Sequence, residues 1–212
     1  MKIALIGATG YVGSGLLKEA LTRGHAVTAL VAHPEKLGAQ PNLTAVQADA
    51  LDVAGLVGQL KGHEAVISAF SGHAQSDILG YYLQGIRAII AATRRAAVPR
   101  LLVVGGAGSL EVGPGVQLMD TPGFPAQWKP TAEGARQALK LLQQEATLDW
   151  TMLSPAAHLD PGTRTARFRL GADQLLSDAA GESRISVEDY AVAMIDELEK
   201  PAHSRQRFSV AY

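Results

Sequence analysis

The chain has 212 residues, 47% of them hydrophobic and 18% charged, with a formal net charge of −1. That length fits a single domain with a sizeable core, and the absence of Cys excludes disulfide staples, thiolate metal sites and a cysteine nucleophile. Lys and Arg are spread along the chain without a basic stripe or interleaved aromatics, so nucleic acid is not expected as a partner.

The N-terminal stretch MKIALIGATG has one Lys and only a short apolar run before Gly7, too short for a signal-peptide core. No window approaches the ~18 apolar residues of a membrane span. The expectation is a cytoplasmic protein without a membrane partner. Strand-length apolar runs then recur at Ile3–Ile6, Ala26–Val31, Leu43–Val46, Ala65–Ala69, Leu101–Val104 and Trp150–Leu153. None alternates cleanly with polar residues, which suits strands buried on both faces. Helical spacing fills the gaps at Val12–Thr22, Asp77–Ala97 (stopped by Pro99) and Ala132–Ala146. This βαβ alternation predicts an α/β fold, a Rossmann-type doubly wound parallel sheet.

Two regions interrupt the pattern. The Gly- and Pro-rich span Gly105–Pro130 reads as a long loop of the kind that covers a site. From Ser154 to the C-terminus the chain reads as a small lobe packed on the main sheet. It holds a short strand within RTARFRLG, a helix over ISVEDYAVAMIDELE and a last strand at Gln206–Val210. Ser186 is a natural N-cap for that helix, with Asp189 standing where a capping-box Glu would be.

The sharpest local signal is GATGYVG, residues 7–13, between the first strand and the first helix. In that context Gly7 permits the tight turn. Gly10 lets a pyrophosphate approach the backbone, and Gly13 lets the helix pack close to the sheet. The amides at the helix start and the helix dipole favour an anion there.

GATGxxG at the N-terminus resembles the extended and atypical branches of the short-chain dehydrogenase/reductase superfamily. QADALD (47–52), AVISAF (65–70), LLVVGGAGSL (101–110), DTPGFPAQWKP (120–130), DWTMLSPAA (149–157) and SRISVEDYAVAMIDELE (183–199) together resemble the NADH-flavin reductase family. Its relatives are the NmrA-like and biliverdin-reductase-B-like proteins. The resemblance implies one NAD(P)-binding Rossmann domain over 1–212, with 154–212 forming a substrate-side lobe. It implies that Gly7, Thr9, Gly10, Tyr11, Val12 and Gly13 contact the pyrophosphate. Asp49 and Ala50 would meet the adenine, and Ser68, Ala69 and Phe70 would line the adenosine ribose. Gly105, Gly106, Ser154, Pro155 and Ala156 would reach the nicotinamide half. At the second strand's end Ala32 stands where relatives often carry Arg, and Tyr11 where they often carry a second. His33 and Lys36 remain to meet a 2′-phosphate. No acidic residue replaces the arginines at these positions, so the cofactor is NADP or NAD with a slight lean to NADP.

Most members of that superfamily move a proton through a Tyr-x-x-x-Lys pair. None occurs here: the residues four beyond Tyr11, Tyr81, Tyr82 and Tyr190 are Gly15, Gly85, Ile86 and Met194, and Tyr212 ends the chain. Where the pair would fall the chain reads WKPTAE (128–133), and Pro130 is expected to break the helix start. His158, Ser154 and Ser109 are weak catalytic candidates. No metal-ligand spacing occurs among the histidines. The leading expectation is therefore an NAD(P)H-dependent reductase passing hydride to a flavin, quinone or similar conjugated acceptor, with Phe124 and Trp128 over that acceptor. The alternatives are a non-catalytic NAD(P) sensor of NmrA-like type and a relative of sugar-nucleotide epimerases. The expected partner is a small-molecule acceptor, and the chain is expected to be a monomer or homodimer.

Overall fold

The computed structural model describes residues 1–212. In chain order it contains β1 (Lys2–Ile6), α1 (Tyr11–Thr22), β2 (Ala26–Val31), β3 (Leu43–Gln47), α2 (Val53–Leu60), β4 (Ala65–Ser68), α3 (Ile78–Arg95) and β5 (Arg100–Val104). There follow β6 (Glu111–Gly113), β7 (Val116–Gln117), α4 (Lys129–Gln143), β8 (Asp149–Ser154), β9 (His158–Asp160), β10 (Arg169–Gly171), β11 (Arg184–Ser186), α5 (Val187–Glu199) and β12 (Gln206–Ala211). Eight strands form one sheet in the order β10-β12-β8-β5-β4-β1-β2-β3. All neighbours are parallel except β10, which returns antiparallel to β12. The strand order reverses between β1 and β4. In a doubly wound sheet, ligands bind beyond the carboxyl ends at this point.

The continuous apolar strands are explained by a core on each side of the sheet. On one face α1 and α5 pack over Ile3, Leu5, Val27, Ile67 and Leu153. On the other, α2, α3 and α4 cover Ala4, Val66, Leu101, Val103 and Trp150. Alternate residues of each strand therefore enter opposite cores, as the two-residue period requires.

The structure corrects the sequence expectations in three places. Val53–Leu60 is a helix that the apolar periodicity did not announce, with Asp52 accepting a hydrogen bond from the Gly55 N–H at its start. The span 105–130 is not one loop. It holds the β6–β7 hairpin and the first two residues of α4, so Pro130 lies inside that helix rather than breaking it. The first helical turn has no intrahelical acceptor for its N–H groups, so a proline there costs nothing. Within RTARFRLG only the last three residues form a strand. The C-terminal segment rests on the main sheet by supplying β12 and β10 to its edge.

Candidate dinucleotide site

The register of the parallel strands sets the site. Ile6 pairs with Leu30 on one side and Ser68 on the other, Ser68 with Val103, and Val104 with Leu153. Gly7, Ala69 and Gly105, which follow these strands, and Ser154, the last residue of β8, therefore stand in one row along the carboxyl edge. The ladder continues one step past the strands. Gly7 N–H donates to Leu30 O, Ala69 N–H to Ile6 O and Gly105 N–H to Leu153 O.

At β1 the chain turns sharply into α1. Gly7 sits at φ +83°, and a Cβ there would lie 2.7 Å from Ala69 O. A Cβ at Gly13 would collide with the Gly7 carbonyl oxygen. These two positions require glycine for the turn and for helix–sheet contact. Gly10, the N-cap, offers α1 no side-chain cap. Beyond the Gly10 N–H bond to Gly7 O and the Ser14 N–H bond to Gly10 O, the amides of Tyr11, Val12 and Gly13 have no acceptor in the chain. Three unsatisfied donors at the positive end of a twelve-residue helix fit a diphosphate. On this observation the residues present suit the dinucleotide that the glycine motif implies. Thr9 is exposed beside them, and a groove of about 570 Å³ continues from Thr9 and Gly10 past Ser14 and Lys18 to Pro161 and Arg164. Tyr11 reaches across to β9, its hydroxyl donating to Leu159 O at 3.1 Å. Its phenol pKa is raised, by burial first and then by the Asp160 and Glu188 carboxylates.

At the end of β2, Ala32 and His33 are exposed and Lys36 is free in the following turn. His33 Nδ1 lies 3.1 Å from Glu35 Oε1. Reading the strand end alone missed Glu35, which brings a carboxylate beside any phosphate that His33 would meet. Past β3, Asp49 closes a local turn by accepting from Leu51 N–H, and Ala50 follows it half-buried. Ser68 is buried at the end of β4 and its hydroxyl makes no hydrogen bond within the chain. Phe70, two residues later, stacks on Tyr82 of α3 with ring centroids 6.1 Å apart.

At the β5 and β8 ends the catalytic candidates are placed quite differently from one another. Ser154 Oγ is sealed from solvent with no partner, against Gly105. Pro155 and Ala156 are buried after it, and Tyr190 of α5 anchors the strand end by donating to Leu153 O at 2.7 Å. Ser109 is buried and engaged: Arg207 Nη1 donates to its Oγ at 2.9 Å while the same guanidinium pairs with Asp173. His158 is exposed at the start of β9, its backbone N–H donating to Ser183 O and its imidazole making no hydrogen bond within the chain. Gly105 and Gly106 are half-buried, and Gly106 lies against Ala135 of α4. The two loops above this edge meet. His73 Nε2 lies 3.0 Å from Thr131 Oγ1, and its ring stands edge-on to Trp128, which is 52% exposed. Phe124 is half-buried in the same covering segment. Lys129 opens α4 exposed and with no phenol preceding it.

Comparison with known proteins gives this site its family. A family described as NAD(P)H-binding matches residues 7–199. The protein YwnB of Bacillus subtilis, which has no assigned activity, is 43% identical over 99% of this chain and 98% of its own. A structure from Bacteroides thetaiotaomicron, provisionally named an epimerase, is 46% identical with a TM-score of 0.93, covering 100% of this chain and 96% of that one. A structure from Streptococcus pneumoniae, provisionally named an NADH-flavin reductase, is 35% identical with a TM-score of 0.86, covering 100% and 99%. No helix is long and apolar enough to cross a membrane. With the glycine turn, the free helix-start amides and the family match all falling on the same residues, the chain belongs to the NAD(P)H-binding family of Rossmann-fold proteins.

Proposed function

We propose that this protein is an NAD(P)H-dependent reductase that passes hydride to a flat conjugated acceptor, a flavin or quinone. The observation that carries the reading is the combination of a dinucleotide turn with an α4 start that offers no Tyr-x-x-x-Lys pair. When bound, the dihydronicotinamide supplies the hydride. The chain's own residues bind, orient and shield. The Tyr11–Gly13 amides hold the diphosphate, and Asp49 and Ala50 face the adenine side. Ser68, Ala69 and Phe70 line the ribose side. Gly105, Gly106 and the Ser154–Ala156 turn form the floor at the other end. Phe124 and Trp128 cover the acceptor. A flavin or quinone can take its proton from solvent, so no dedicated acid is obligatory. Epimerase chemistry, which the Bacteroides relative's name suggests for that protein, needs an acid–base pair. The weak candidates here do not make one, since Ser109 is tied to Arg207 and Ser154 is sealed.

The cofactor preference should be slight. Lys36 offers one free cation to a 2′-phosphate, and Glu35 offsets it. Neither Lys36 nor His33 reproduces the bidentate contact of an arginine.

The experiment is calorimetric titration with NADPH and NADH, followed by turnover with riboflavin and menadione. Gly10→Val serves as the control. A Cβ there lies 3.3 Å from Gly7 O and is otherwise open, so the fold accepts a side chain that a diphosphate does not. The expected result is binding of both cofactors within about 100-fold of each other, about 2.7 kcal/mol. Gly10→Val should lose that binding, and the wild type should oxidise NADPH slowly but measurably. Undiminished binding in Gly10→Val would remove the site assignment. Tight cofactor binding with no turnover of any flavin, quinone or simple aldehyde would replace the reductase with a dinucleotide sensor.

A further inference from the structure

One tyrosine lies against α4, the helix at whose start the superfamily's phenol is missing, and it comes from a different helix. Tyr82 lies near the start of α3, whose N-terminus opens at the carboxyl edge of the sheet with Asp77 as its cap. Its ring crosses to α4 and lies against Gly134, where a Cβ would come within 2.8 Å of Cδ1. Gly134 belongs to the first half of α4, next to Ala135, which touches Gly106 at the end of β5. On its other side the ring stacks on Phe70, the two planes 11° apart. Phe70 in turn sits on Gly85 of α3, where any Cβ would collide with its ring. Two aromatic rings are thus each seated on a glycine, and the pair closes the space between β4, α3 and α4. Through Gly134, Ala135 and Gly106 the seat adjoins the end of β5, where the Gly105 N–H and the Tyr190 hydroxyl share the Leu153 carbonyl.

The Tyr82 hydroxyl has no hydrogen-bond partner in the chain, yet it is not among the sealed polar atoms. The hydroxyls of Tyr11, Tyr190 and Tyr212 are committed, to Leu159 O, to Leu153 O and to Ser186 and Asp189, while Tyr81, its neighbour on α3, is likewise without a partner; Tyr82 is the one seated against Gly134 of α4. A half-buried phenol without a partner is costly to leave unmade and is available to a ligand.

Resting on the reductase reading, we propose that Tyr82 donates a hydrogen bond to a carbonyl oxygen of the flat acceptor and so fixes and polarises it for hydride transfer. In that step the C4–H bond of the dihydronicotinamide breaks and its electron pair moves with the hydrogen to the acceptor. The nicotinamide becomes the oxidised cation, and negative charge develops on the acceptor's carbonyl system. The Tyr82 O–H holds that charge, and the proton that neutralises it arrives from solvent. Burial pushes the Tyr82 phenol well above the ordinary tyrosine range, so it keeps its proton throughout. A phenol so placed is a donor of a hydrogen bond and a poor donor of a proton. This suits an acceptor that needs only polarisation.

The test compares wild type with Tyr82→Phe, which keeps the ring, its stack on Phe70 and its contact with Gly134. Riboflavin is titrated into the NADP-loaded proteins and followed by quenching of its fluorescence. NADPH oxidation with riboflavin is measured in parallel from about pH 6 to 9. The expected result is a roughly tenfold weaker riboflavin Kd in Tyr82→Phe, about 1.4 kcal/mol. The NADP affinity and thermal midpoint should be unchanged, and kcat should fall at least tenfold with a flat pH profile in both proteins. An unchanged riboflavin Kd, or no riboflavin binding by the wild type, overturns the proposal. Riboflavin binding that weakens in Tyr82→Phe without NADPH oxidation in either protein supports the hydrogen bond and rejects the hydride reading instead.

Discussion

The exchange of Ala32 for arginine is the most direct probe at the residue scale. Ala32 is exposed at the end of β2. Ala32→Arg should strengthen NADPH binding about tenfold and leave NADH within twofold, because a guanidinium–phosphate pair adds about 1.5–3 kcal/mol only to the phosphorylated cofactor. Glu35→Gln should move the same ratio in the same direction by a few-fold, by freeing His33 and removing a repulsive carboxylate. Side-by-side dissociation constants decide it, and equal gains for both cofactors would show that Ala32 does not face the ribose phosphate. Ser154 gives the opposite kind of test. Its hydroxyl is buried and unpartnered, so Ser154→Ala should be neutral or stabilising by up to about 1 kcal/mol in a denaturant titration, with turnover retained. Loss of turnover with intact cofactor binding would mean that the hydroxyl meets substrate. Chemistry-bearing residues were only partly legible in the sequence. The glycine turn is written in consecutive residues. The Arg207–Ser109 bond and the Tyr82–Gly134 contact join positions far apart in the chain, and no local pattern announces them.

Asp189 shows how an element can satisfy a motif and still use it for something else. Ser186 caps α5 as its spacing suggests, accepting from Asp189 N–H at 3.0 Å. The Asp189 carboxylate does not return to the Ser186 N–H as a capping-box acid would, because Tyr212 Oη takes that donor. It accepts instead from Thr165 N–H and Oγ1, Ala166 N–H and Tyr212 Oη, between 2.6 and 2.9 Å. The segment after Pro161 is thereby fastened to α5, including Ala166 in the left-handed region at φ +55°. Burial alone would raise the Asp189 pKa, but the bonds from Thr165, Ala166 and Tyr212 outweigh it and hold the carboxyl below its usual range. A group whose native pKa is depressed stabilises fully above its unfolded pKa, about 3.9, and loses that contribution as pH falls toward the native value. Acid unfolding of the wild type should therefore steepen below about pH 4, and Asp189→Asn should be less stable at pH 7 by about 3 kcal/mol, with a shallower acid limb. An acid limb identical in both proteins would show that another carboxylate governs it. The six long-legible strands fall within one residue of where their apolar runs lie, because burial on both faces leaves an unbroken hydrophobic signature. The helix α2 was not legible, since two glycines dilute its pattern, and β6, β7, β9 and β11 are too short to show a period.

At the scale of the whole molecule, the site ties together segments that are distant in sequence. The row at the sheet's carboxyl edge draws on the turns after β1, β2, β3, β4, β5 and β8, from Gly7 to Ala156, and α5 holds the last of these through Tyr190. Both hydrophobic cores end against this row, one under α1 and α5 and the other under α2, α3 and α4. A dinucleotide lying along it would bridge the two halves of the sheet across the β1–β4 reversal, and would bind the folded chain without binding the unfolded one. At a hundredfold excess over Kd such a ligand stabilises by about 2.7 kcal/mol. For a chain of this size that corresponds to a rise in Tm of roughly 5–11 °C. The same rise should follow NADPH and NADH once each is set at the same multiple of its own Kd, because stabilisation by a ligand that binds only the folded chain depends on its concentration relative to Kd. Gly10→Val should unfold near the wild-type Tm without ligand and show no rise with either cofactor. A rise retained in Gly10→Val would place the stabilising contacts elsewhere than on the glycine turn. A rise given in full by adenosine 2′,5′-bisphosphate at the same saturation would be the equal-coupling result, since stabilisation depends on occupancy relative to Kd. The nicotinamide half should then declare itself in the Kd values, with the bisphosphate binding more weakly than NADPH by the contribution of Gly105, Gly106 and the Ser154–Ala156 turn. Equal affinity for the two would leave that end of the edge without a part in cofactor binding.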